Sequence, residues 1–139
     1  MPYSRISLLK GKSSAYLQAI SDNLHRALVE RFLVPEDDRF QIFEQLEKHE
    51  FIFDRNYLSG PRSDDYLLIA ITIGKPRTLE NRKKFYHRLT ELLQEKPGIH
   101  PRDVMVVIHS TNAEDWSFGN GLTSLAGGTN TEIELEKTS

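Results

Sequence analysis

No cysteine occurs among the 139 residues, which excludes disulfides, thiolate catalysis and cysteine-ligated metals. Charge of one sign is not in excess: 18 Lys and Arg stand against 20 Asp and Glu, a formal net charge of −2. That balance offers no general attraction to nucleic acid or to an anionic membrane. No apolar run approaches a membrane span, and the N-terminus lacks the charged and apolar segments of a secretion signal. The expectation is a soluble, cytoplasmic protein. H-E-x-x-H is missing, since "HEF" at 49–51 lacks the second histidine, and the five histidines show no ligand spacing. "GNG" and "AGG" lack the strand-to-helix setting of a phosphate loop, and Ser117 lies outside a G-x-S-x-G elbow. Neither a metal nor a cofactor is expected.

The chain does carry a repeated pattern. "YSRISLL" (3–9) reads as a strand, and Ser13 or Ser14 can cap a helix after Gly11. Leu17, Ile20, Leu24, Ala27, Leu28 and Phe32 then recur at helical spacing, with Asp22, Arg26 and Glu30 on the wet face. Pro35 ends this stretch. "RFQIFEQL" alternates as a strand through Phe40, Ile42 and Leu46, "HEFIFD" suggests a small hairpin strand, and "RNYLSGPRSDD" reads as a loop. The order then restarts. "YLLIAITI" (66–73) is a strand, "GKPR" a turn, and Thr78 a cap. Leu79, Phe85, Tyr86, Leu89, Leu92 and Leu93 form a second helical stripe, and "VMVVIHS" (104–110) is the next strand. Strand–helix–strand thus occurs twice at a period of roughly 65 residues, each unit long enough for a right-handed parallel crossover. The fold class is α/β: two β-α-β units forming a four-stranded mixed sheet with two helices on one face.

"LLIAITI" and "VMVVI" are continuous apolar runs, as in strands buried on both faces. Two helices cover only one face, so the other calls for further copies of the chain. The tail "LTSLAGGTNTEIELEKTS" is small, polar and acidic. It could hold a partner-contacting strand ("TEIEL") or fray. We read residues 1–139 as one domain, with a core at about 2–121 and a tail at 122–139.

The start of the chain, "MPYSRISLLKG", carries the chemistry. If Met1 is trimmed, Pro2 becomes a free secondary amine. With the two first strands antiparallel about a pseudo-twofold axis, Pro2 heads one strand and Asp38 precedes the strand parallel to it. Lys75 and Arg77 follow the 66–73 strand, which runs the opposite way. Amine, carboxylate and cations converge on one rim. An apolar wall would disfavour the Pro2 cation and favour a base, whereas a nearby carboxylate would keep it cationic as an acid.

Residues 2–121 resemble the tautomerase superfamily, and most of all its malonate semialdehyde decarboxylase-like members. The likeness rests on Pro2, "VPEDDRFQI" (34–42), "RSDDYLLIAITIGKPRT" (62–78) and "DWSFGNG" (115–121). It implies that Pro2 is the catalytic amine, Asp38 its acidic partner and Arg77 a carboxylate clamp, with Trp116 and Phe118 as an apolar wall. Lys75 takes the place of a second basic residue ahead of the arginine. As a point cation it lacks the planar fork of arginine. The resemblance further implies a homotrimer acting on a small carboxylated keto, enol or aldehyde compound. Decarboxylation of a 3-oxo acid and tautomerisation of a phenylpyruvate-like enol compete as the reaction. A non-catalytic trimeric binding or signalling protein is the alternative of another class.

Overall fold

The sheet explains where everything else lies. A computed structural model describes residues 1–124, in the element order β1 (Pro2–Leu9), α1 (Ser14–Phe32), β2 (Gln41–Leu46), β3 (Leu67–Ile73), α2 (Leu79–Glu95) and β4 (Val104–Ser110). The strand order is β2-β1-β3-β4, with β1 parallel to β2, β3 parallel to β4, and β1 antiparallel to β3. The two β-α-β units therefore meet at the β1–β3 seam, where Ile6 pairs with Ile69 and Pro2 with Ile73. Both helices start on the side-chain caps that the sequence points to. Ser13 accepts from the Tyr16 amide and Thr78 from the Asn81 amide.

The core lies between the helices and one sheet face. Ile6 and Leu8 of β1 and Ile69, Ile71 and Ile73 of β3 pack against Ile20, Leu24 and Leu28 of α1 and Phe85, Leu89 and Leu92 of α2. Phe32 stacks on Phe85 with ring centroids 4.6 Å apart, locking the two helices together. Burial alternates strictly along β3, so within one chain the inward positions are covered while Leu68, Ala70 and Thr72 are only half-buried. On β4 the outward Met105 and Val107 are 47% and 51% exposed. The continuous apolar runs are thus two-faced in sequence but covered on one face in the single chain. Among the described residues no helix is long and apolar enough to cross a membrane.

Two local expectations are corrected. "HEFIFD" forms no strand. Its alternation is spent instead on packing, with Phe51 and Phe53 stacked on the Tyr66 ring at 5.3 and 4.3 Å. Strand β2 begins at Gln41, not Arg39, and Phe40 and Ile42 of its alternating set lie exposed. Phe43 packs on the core, and Gln41 meets α1 through Ser21 (Oγ to Oε1, 2.5 Å), leaving Ile42 outward and 44% exposed. The suggested "TEIEL" strand lies outside the described residues.

Candidate active site

The first strand delivers Pro2, buried, to the rim where β3 ends. The Gly74 amide donates to the Met1 carbonyl at 2.9 Å, so the ladder continues one step beyond the strands. Asp38 reaches the same rim from the α1–β2 connection. Its amide donates to the Pro35 carbonyl at 3.0 Å, closing a turn, and the Ser4 amide donates to Phe40 at 3.0 Å, laying that connection beside β1. One Asp38 oxygen, Oδ2, lies 3.1 Å from the Met1 amine, with only 15% of the side chain exposed. The other, Oδ1, is buried without a hydrogen-bond partner. One oxygen of this carboxylate is thus paired with the terminal amine, and the other is a buried acceptor open to a further donor.

Trp116 closes the rim. A short helical turn (Ala113–Asp115) follows β4, and the indole Nε1 donates to Thr111 Oγ1 at 2.6 Å. Thr111 in turn donates to the Ile73 carbonyl through both its hydroxyl (2.7 Å) and its amide (2.8 Å), which ties the indole to the end of β3. Trp116 stacks on Phe118 at 5.6 Å, and Phe118 meets Phe40 at 5.9 Å. The rim is crowded at Gly74: a Cβ there would lie 2.9 Å from Met1 Cε and 3.1 Å from Trp116 Nε1. The Met1 side chain and the indole thus both lie beside Gly74.

The structure thus brings Pro2, Asp38 and Trp116 together around the N-terminus, with Phe118 behind the indole. Arg77 is held by other partners. Its guanidinium donates to the Phe32 carbonyl at 3.0 Å and to the Lys75 carbonyl, and it lies over the Phe32 ring at 5.1 Å. Burial pushes its pKa below the usual arginine value. Arg77, Lys75 and Arg31 line a cleft of about 410 Å³ that has no acidic residue in its wall. This cleft can take an anion, but the contacts described do not join Arg77 to Pro2 or Asp38. Phe40, Gly74 and Thr111 complete the site without being singled out in the sequence. Phe40 resembles an ordinary strand residue there, Gly74 an ordinary turn glycine, and Thr111 carries no signal. Among the described residues, no group of three or more His, Asp or Glu side chains could hold a metal.

Comparison with known proteins fits this geometry. Two family models, each described as tautomerase enzyme, match residues 38–119 and 2–59. The chain is 38% identical over 121 residues to the probable tautomerase YusQ of Bacillus subtilis (strain 168), covering 87% of this chain and 95% of that protein. It is 34% identical to the probable tautomerase YrdN of the same organism, covering 87% and 93%. A crystal structure of malonate semialdehyde decarboxylase superposes with a TM-score of 0.80 at 33% identity, covering 86% of this chain and 92% of the other. A symmetric trimer of fused 4-OT superposes at 0.73 with 20% identity, covering 91% and 98%, a likeness of fold. Two β-α-β units joined at an antiparallel seam, with a proline at the head of β1 and family matches on both units, make this chain a member of the tautomerase superfamily of enzymes.

Proposed function

We propose that the chain, freed of Met1, uses the Pro2 nitrogen as an acid–base group on a small carboxylated 3-oxo compound, in the manner of a malonate semialdehyde decarboxylase. The observation that carries this reading is the Asp38 carboxylate, 3.1 Å from the terminal amine with its second oxygen buried and unpartnered. Removing Met1 transfers the amine to Pro2 and empties the space beside Gly74 and Trp116. A carboxylate there favours the protonated amine, which donates a hydrogen bond to the substrate's β-carbonyl. The bond between the carboxylate carbon and the α-carbon then breaks. Its electron pair moves through the α-carbon to the carbonyl oxygen, and carbon dioxide leaves. The enol that remains returns a proton to carbon, which for malonate semialdehyde yields acetaldehyde. Arg77 would fix the carboxylate and Lys75 would add general positive potential, while Trp116 and Phe118 keep the site dry.

Tautomerisation of a phenylpyruvate-type enol is the second reading, supported by the two relatives named as probable tautomerases. It needs Pro2 neutral, taking the enol proton and delivering it to carbon. Turnover of malonate semialdehyde, phenylenolpyruvate and a haloacrylate, with and without Pro2→Ala, separates the two. We expect malonate semialdehyde to lead, with Pro2→Ala reducing it on the order of 10-fold or more because a primary amine remains. Slow turnover of all three, barely changed by Pro2→Ala, would favour a binding protein.

The whole chain is taken as one domain, acting in the cytoplasm as a homotrimer. The sheet face opposite the helices supports assembly, since Ile42, Met105 and Val107 lie exposed there. Sedimentation velocity should give three chains per particle. A monomer at every concentration would overturn the trimer and leave this face unexplained.

A further inference from the structure

We propose that His25, on α1, is a positioning residue for Asp38. This rests on the reading of Asp38 as the partner of the Pro2 amine. His25 is 5% exposed, and its Nε2 lies 2.7 Å from the Glu36 carbonyl, two residues ahead of Asp38 in the turn closed by the Asp38 amide and the Pro35 carbonyl. A carbonyl only accepts, so Nε2 is the donor in this bond and Nδ1 is left as the other ring nitrogen. That Nδ1 is buried with no partner. An imidazole with one orphaned nitrogen is a worse core residue than leucine, and Leu24 and Leu28 of the same helix are fully buried beside it. What the imidazole supplies is a donor at Glu36.

Downstream of Asp38 the same helix holds the connection again. Arg39 donates to Asp22 Oδ1 at 2.7 Å, and Gln41 donates to the Ser21 carbonyl at 3.2 Å. Ser21 and Asp22 lie four and three positions before His25, the spacing that places each beside it on the helix surface. Asp38 is thus suspended between side-chain anchors to α1 on both sides, and among the described residues the buried His25 anchor precedes it while those of Arg39 and Gln41 follow. Without that donor the 35–38 turn can shift, and Asp38 drifts from the amine. A displacement of about 1 Å at a reacting group costs on the order of 10- to 100-fold in rate.

The test is a double-mutant cycle on Met1-free protein. His25→Leu, His25→Gln and His25→Asn are each made alone and with Asp38→Asn. The probe is malonate semialdehyde or phenylenolpyruvate, whichever the unmodified chain turns over faster, and rates are expressed per folded chain. His25→Leu should lower kcat by about 10- to 100-fold with KM nearly unchanged. His25→Gln, whose amide nitrogen reaches the place of Nε2, should recover most of the loss, whereas the shorter His25→Asn should not. In the Asp38→Asn background the His25 changes should have no further effect. Equal losses in both backgrounds, or a fully active folded His25→Leu, would overturn the proposal. If His25→Leu does not fold, the contrast between His25→Gln and His25→Asn decides in the same way. Full activity of Asp38→Asn alone would instead retire the Pro2–Asp38 reading, and the positioning role with it.

Discussion

Full-length chain with an uncleavable residue ahead of Pro2 is expected to lose turnover by about 10²- to 10⁴-fold, the usual contribution of a positioned acid–base group. Two effects act together. With any residue attached, the Pro2 nitrogen is a tertiary amide that neither accepts nor donates a proton. The attached residue also occupies the proposed site: Met1 lies beside Gly74, as the indole does, and its amine takes the Asp38 oxygen that Pro2 would use. The proposed chemistry therefore requires loss of Met1, and proline is a small second residue that permits it. Steady-state turnover of the trimmed and extended forms measures the effect, and intact mass establishes which form is present. The fold should not change, because Pro2 is already paired with Ile73 in the Met1-bearing chain.

Arg77→Ala is expected to cost about 2–4 kcal/mol of transition-state stabilisation on a carboxylated substrate, or roughly 30- to 1,000-fold in kcat/KM. The guanidinium carries further N–H donors beyond the two bonded to the Phe32 and Lys75 carbonyls, so it can take a carboxylate without leaving them. The bond to Phe32 also holds the end of α1 to the β3–α2 turn. A stability loss of about 1 kcal/mol in urea unfolding should accompany the substitution, small enough for the fold to survive. Arg77→Lys should fall between the two, since a point cation cannot form the bidentate pair. Lys75→Ala should cost less than Arg77→Ala, because Lys75 is exposed and contributes only potential. Unchanged kcat/KM in Arg77→Ala would show that the carboxylate binds elsewhere.

The parts of this fold legible in the sequence are those set by periodicity and order. The repeated strand–helix–strand pattern implies the seam between β1 and β3, and the seam brings Pro2, Asp38 and the 74–77 turn to one rim. What sequence could not supply depends on which side chain wins a shared space. Phe51 and Phe53 alternate like a strand, yet the Tyr66 ring captures them. Ile42 has strand character for either face, and the pairing of Gln41 with Ser21 decides which. Arg77 is close in sequence to the rim, but the carbonyl at the end of α1 decides where its guanidinium goes. His25 reads as a surface or core-edge residue, and only the packing of the 35–38 turn on α1 reveals its buried nitrogen.

The central claim is that a free Pro2 amine beside Asp38 does the chemistry, and covalent labelling tests it with whichever substrate the chain turns over. Met1-free protein is treated with increasing amounts of an amine-directed electrophile up to one equivalent per chain and beyond, and the adducts are mapped by peptide mass spectrometry while residual turnover is followed. The account predicts one adduct per chain, on Pro2 in preference to the lysines, with turnover lost in proportion. Labelling of the lysines with Pro2 unmodified, or turnover retained when Pro2 is fully labelled, would contradict it.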